Sequence, residues 1–216
     1  MPGNTSILWF RQDLRLDDNP ALVESQRHGG AVVPVFIWAP DEEGDWEPGG
    51  ASRWWLHHSL SALDASLRER GLRLVIRRGP TESALRGLID ETGATRVFWN
   101  RRYEPSAIAR DSRLKATLRG DGIDAESMNA ALLHEPWNVR TKGGTPFKVF
   151  TPFWKACLAE GEPRDPVPAP KLEASAPKRW PESVSVKGLQ LRPKFGWDHG
   201  LAEAWTPGEA GAIARL

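Results

Sequence analysis

The stretch TSILWFRQDLRLDDNPAL, residues 5–22, opens as an apolar run and then turns abruptly charged, with Arg11, Asp13, Arg15 and Asp17 following directly on Phe10. Thr5 to Phe10 suits a strand buried on both faces. The polar cluster ends in Asp18-Asn19-Pro20, where Asp18 or Asn19 can cap a helix and Pro20 sits near its first position, where a missing N–H does no harm. A strand, a charged loop and a capped helix together form the first half of a βαβ unit.

The same alternation recurs along the chain. Ala31 to Trp38, Leu72 to Arg77, Thr95 to Trp99 and Ile123 to Met128 read as further strands, and Asn19 to His28, Ser52 to Arg70, Thr81 to Glu91 and Glu104 to Arg119 as the helices between them. Strand-helix-strand repeated four times predicts a doubly wound, Rossmann-like α/β fold. Its five-stranded parallel sheet carries helices on both faces, because the crossovers are right-handed and both faces are apolar. This domain is expected over residues 1–130. Arg11 to Asp17 then lies at the carboxyl edge of the sheet, where doubly wound folds bind ligands. The loop lacks the Gly-rich pyrophosphate fingerprint, which argues against NAD. Its pairs Arg11/Asp13 and Arg15/Asp17 either brace the loop as ion pairs or contact a ligand.

Beyond the sheet, residues 131–160 read as a segment trailing on the domain, with KGGT at 142–145 as a turn and an aromatic run behind it. Residues 161–205 are rich in Pro and charge without a sustained period, which predicts a linker. Thr206-Pro207-Gly208-Glu209 reads as a capping box that opens a helix over 206–216, expected to start a further helical domain.

Composition narrows the classes. With 216 residues, 40% hydrophobic and 26% charged, the chain suits a soluble globular protein, and its net charge of +1 gives it no overall basic field, so weak or no DNA binding is expected of it. One cysteine excludes an internal disulfide framework, and no signal peptide or membrane-length apolar run is present, which predicts a cytoplasmic protein without a membrane partner. Cys157 reads as a small buried apolar residue. His57 and His58 lack the spacing that puts two ligands on one helix face, and no metal site is expected. Trp54 and Trp55 are adjacent on a helix and cannot both face the core.

Four motifs carry a family resemblance: WFRQDLRLDDNPAL at 9–22, GGASRWWLHHSL at 49–60, WNRRYEPSAIARD at 99–111 and PFKVFTPFWKA at 146–156. Together they resemble the photolyase/cryptochrome family, specifically the amino-terminal α/β domain of bacterial DNA photolyases. The resemblance implies an antenna domain that holds a light-harvesting chromophore, commonly a folate or a deazaflavin and sometimes a flavin. It also implies a larger helical domain, after Thr206, that carries catalytic FAD and the pocket for damaged DNA. No catalytic residues are expected in this chain by itself. A cryptochrome-like photoreceptor and a stand-alone nucleotide-binding α/β domain are the alternatives.

The chromophore slot is expected from Ile37 and Trp38 at the end of the second strand, Arg53 early in the second helix, and Asn100, Arg102, Tyr103 and Ser106 after the fourth strand. Some folate-binding relatives carry Asn-Glu where Ser106-Ala107 stands, and deazaflavin-binding relatives tend to carry Asp where Arg102 stands. Folate is favoured here over deazaflavin or flavin, because the charge of Arg102 would attract its glutamate tail. Glu104 reads as a helix-start carboxylate.

Overall fold

The computed structural model describes residues 4–45, 47–172 and 176–216. Five strands, β1 (Thr5–Phe10), β2 (Ala31–Trp38), β3 (Val75–Arg78), β4 (Arg96–Asn100) and β5 (Asp124–Met128), form one sheet in the order β3-β2-β1-β4-β5. Every pairing is parallel. The helices are α1 (Pro20–Arg27), α2 (Gly50–Arg68), α3 (Thr81–Thr92) and α4 (Pro105–Gly120), followed by α5 (Phe150–Ala159), α6 (His199–Ala204) and α7 (Glu209–Ile213).

β1 is central, and all six of its residues are buried. Its alternation divides the core: Leu8 and Phe10 join Leu22 of α1 and Leu60, Leu63 and Leu67 of α2. Ile7 and Trp9 join Leu85 and Leu88 of α3 and Leu114 and Leu118 of α4 on the other face. The doubly wound architecture therefore follows the sequence reading. Asn19 caps α1 by accepting the N–H of Leu22, with Pro20 in the first turn. α3 stops at Gly93, whose φ of 63° a side chain would resist.

The third strand is shorter than Leu72 to Arg77. Leu72 donates its N–H to the carbonyl of Leu67, and Leu74 donates to the Asp64 carboxylate, so both groups serve α2 and not the ladder to β2. The capping box at Thr206 does not form. α7 starts after Gly208, with no side-chain cap, because the Glu209 carboxylate accepts the N–H groups of Leu16 and Asp17 instead. Part of the stretch expected as linker is packed on the domain: Leu172, Leu189 and Leu191 are buried, and Val184 donates to the carbonyl of Ile76. Residues 173–175 of that stretch lie outside the described residues. KGGT lies in a turn, with Gly144 donating to the carbonyl of Thr141. Cys157 is buried, as is Trp54, while Trp55 is 40% exposed. No helix among the described residues is long and apolar enough to cross a membrane.

The charged loop is a brace, but with partners other than those expected. Arg11 keeps the parity of Ile7 and Trp9, which sends it to the α4 face, where its guanidinium pairs with Asp111 and donates to the carbonyl of Asn100. Asp13 turns back to accept the backbone N–H of Arg11 and the amide of Asn100. Arg15 pairs with Asp18 and donates to the carbonyl of Ala130, while Asp17 accepts the N–H of Ala169.

Candidate functional site

The strand order reverses direction between β1 and β4, and a doubly wound sheet leaves a crevice outside the carboxyl ends at such a point. A slot opens there. Trp9 and, at the end of β2, Phe36, Ile37 and Trp38 line it, and Arg11, Glu43, Arg102 and Arg110 supply charged groups. The slot encloses about 110 Å³, less than the ~300 Å³ at which whole-ligand pockets begin. It shares Gln12 and Arg102 with an adjoining cleft of about 570 Å³, lined by Asn100, Tyr103 and Ala130 among others. A flat ring can enter the slot while the rest of a longer ligand lies in the open cleft.

Ile37, Trp38 and Arg102, all expected from the sequence, line the slot together. Arg53 stands behind it: its guanidinium lies 5.9 Å from the centre of the Trp38 ring, pairs with Glu47 at 3.0 Å and donates to the carbonyl of Pro48. Asn100 and Tyr103 line the adjoining cleft. Asn100 is nevertheless committed to the scaffold, because its amide donates to Asp13 and Asn19 and accepts the N–H of Ala21. Ser106 is exposed in the first turn of α4 and lines neither space. Trp9, Glu43 and Arg110 were not anticipated. The only available signal was parity for Trp9, since the side chain of the last strand residue but one emerges beside the sheet edge.

The electrostatics turn on ion pairs. Two parallel hydrogen bonds of 2.7 and 2.6 Å join Arg102 to Glu43, and Glu104 pairs with the same guanidinium at 3.1 Å. Burial works to lower the pKa of Arg102, but the hydrogen bonds and charges of Glu43 and Glu104 outweigh it and raise it. The positive charge expected to attract a glutamate tail is therefore already balanced by two carboxylates. Arg102 also holds the Glu104 carboxyl below its usual range against the opposing effect of burial. Glu104 is the N-cap residue of α4 but makes no side-chain cap, so its partner is Arg102 and not the helix end.

Arg11 and Arg110 lie 4.7 and 5.4 Å from the centre of the Trp9 ring. Burial lowers the pKa of Arg11, with Asp111 opposing, and its Nε is buried without an acceptor. Glu42 does not serve the slot, since it accepts both the N–H and the hydroxyl of Thr81 at the start of α3. Glu43 is thus the carboxylate available at the rim. A carboxylate has about four acceptor sites, so Arg102 leaves it capacity for a ligand donor.

The family model for DNA photolyase matches residues 6–171. The deoxyribodipyrimidine photo-lyase of Agrobacterium fabrum is 48% identical over 211 residues, which cover 97% of this chain and 43% of that protein. Cryptochrome-1 of Arabidopsis thaliana is 42% identical, covering 95% of this chain and 30% of that one. The crystal structure of a bacterial class III photolyase from Agrobacterium tumefaciens superposes with a TM-score of 0.92 at 46% identity, covering 100% of this chain and 44% of that one. The chain spans less than half the length of each of these relatives.

Proposed function

The chain belongs to the DNA photolyase family, and from that premise we propose that its α/β domain is a light-harvesting antenna domain whose slot takes the pterin ring of a reduced folate. The observation that carries this reading is the set of groups around the slot: Trp9, Ile37 and Trp38 offer apolar and aromatic surface, and Glu43 offers a carboxylate at the edge. A pterin presents an amino group and a ring N–H side by side, which matches the two oxygens of a carboxylate. Deazaflavin and flavin present one imide N–H between two carbonyl acceptors, which would face Glu43 unfavourably. The orphaned Nε of Arg11 supplies a donor for a ring acceptor. These residues fit the group, which when bound supplies absorption of near-ultraviolet and blue light. The chain's own residues hold the ring, screen it from water and fix its orientation.

On this reading residues 1–130 form the antenna domain, 131–160 trail on it, 161–205 link it to the next domain while Leu172, Leu189 and Leu191 pack against it, and 206–216 begin the helical domain that holds FAD. α5 presents exposed Phe150 and Trp154, stacked on each other, as surface for that domain. In the longer protein, light gathered here would reach FAD and drive the splitting of pyrimidine dimers in damaged DNA. The similarity to cryptochrome-1 keeps a signalling photoreceptor as the second reading, which a repair assay on the longer protein separates.

The test is to titrate the chain with methenyltetrahydrofolate and with a deazaflavin, following absorbance and tryptophan fluorescence. Folate should bind more tightly, and Glu43→Gln should weaken it about tenfold, as expected for the loss of a charge-assisted pair of hydrogen bonds. Tighter deazaflavin binding, or folate binding untouched by Glu43→Gln, would contradict the proposal.

A further inference from the structure

Beside α4 and β5 lies a further cleft of about 320 Å³, which meets the slot at Arg102 and the adjoining cleft at Arg101 and Tyr103. Three aromatic residues line it: Trp99 at the end of β4, Tyr103 just beyond, and Trp137, which is half exposed and whose ring centre lies 6.1 Å from that of Tyr103. Ser112 and Lys115 from α4 and Ser127 from β5 complete the polar part.

The charges around this cleft do not balance locally. Its lone carboxylate, Asp111, is engaged by Arg11 and Arg110. Arg101 is neutralised by Glu135, and Arg102 by Glu43 and Glu104. Lys115 alone among these cations has no carboxylate partner among the described residues. Its ammonium donates to the Ser127 hydroxyl at 2.6 Å and sits 5.3 Å from the centre of the Trp99 ring. An ammonium has three donors, so two remain to be used. Burial, then Arg119 and Arg101, lower the pKa of Lys115, with Glu126 and Asp111 opposing. The indole N–H of Trp99 is also buried without an acceptor.

We infer that this cleft is a second ligand site, which takes a small planar aromatic molecule bearing one negative charge. The ring would lie against Tyr103 and Trp137, and the carboxylate, phosphate or sulfonate would meet Lys115 with Ser112 and Ser127 beside it. The volume admits one or two fused rings and falls at the lower end of the range for small-molecule sites. This assignment rests on Lys115, Ser127 and Trp137, which line neither the slot nor the cleft beside it, so it can be tested separately although Arg102 and Tyr103 are shared.

The test uses 2-naphthoate and its uncharged isostere 2-naphthamide, titrated into the chain by calorimetry. Naphthoate should bind about tenfold more tightly than the amide, the ratio expected when a neutral hydrogen bond replaces a charge-assisted one. Lys115→Met should remove that preference, Lys115→Arg should retain most of it, and Trp137→Ala should weaken both ligands. Thermal melts of each variant establish that it is folded. Equal affinity for the two ligands, a preference that survives in Lys115→Met, or no measurable binding of either would overturn the assignment. So would naphthoate binding that disappears in Glu43→Gln, because the ligand would then be in the slot.

Discussion

Arg102 and Glu43, 59 residues apart in sequence, are joined by two parallel hydrogen bonds that tie the loop after β4 to the turn after β2 across the mouth of the slot. This clamp orients the carboxylate. Arg102→Ala should leave Glu43 and Glu104 without their cation and cost about 1–3 kcal/mol in urea unfolding. Arg102→Lys should restore only part of that, since an ammonium cannot make both bonds at once. Wild-type stability in Arg102→Ala would show that the clamp is slack.

Asp111 neutralises Arg11, whose side chain is 4% exposed, and pairs with Arg110 as well. Breaking a buried pair from one side leaves an uncompensated charge. Asp111→Asn should therefore destabilise the domain by about 3–5 kcal/mol in chemical denaturation. A loss below about 1 kcal/mol would mean that Arg11 finds water or another partner.

How far the sequence alone reaches is clear from these two pairs. β1 was legible because both of its faces are apolar, and α1 because its cap, Asn19, acts on a residue three positions away. Ile37 and Trp38 were legible as slot residues because a strand's end fixes where they emerge. Asn100 lines the cleft beside the slot, but its side-chain partners Asp13, Asn19 and Ala21 lie 79 to 87 positions away, and the topology alone brings them near. Glu43 and Arg110 carry no local signal, because the turn after β2 and the start of α4 acquire their relation only when the sheet closes. The same holds for Arg11, whose sequence neighbour Asp13 was the obvious partner and Asp111 the real one.

Tyr103 is the chain's single tyrosine, so its ionisation can be read without overlap. Burial, together with its 2.6 Å hydrogen bond to Glu135, pushes the phenol up to about 12 from an ordinary value near 10. The folded state therefore binds this proton more tightly than the unfolded chain does. Its contribution to stability is complete below pH ~10 and is lost as pH rises toward ~12. Absorbance at the tyrosinate band should show a midpoint near 12 in the folded chain and near 10 in strong denaturant. A folded midpoint near 10 would remove the contact with Glu135.

Glu209 accepts the backbone N–H groups of Leu16 and Asp17, docking α7 against the first loop. Glu209→Ala should accelerate hydrogen exchange at those two amides by about tenfold or more, while amides in the β1 core keep their protection. Unchanged exchange at Leu16 and Asp17 would show that α7 is not held by this contact.

The central claim is that the slot between the ends of β1 and β2 receives the pterin ring. The most direct measurement is a crystal structure of the chain with methenyltetrahydrofolate bound. The ring should lie between Trp9, Ile37 and Trp38 with its amino and N–H edge on Glu43 and its tail in the cleft beside Tyr103. A ring placed elsewhere, or seated in the slot with its carbonyl edge toward Glu43, would contradict it.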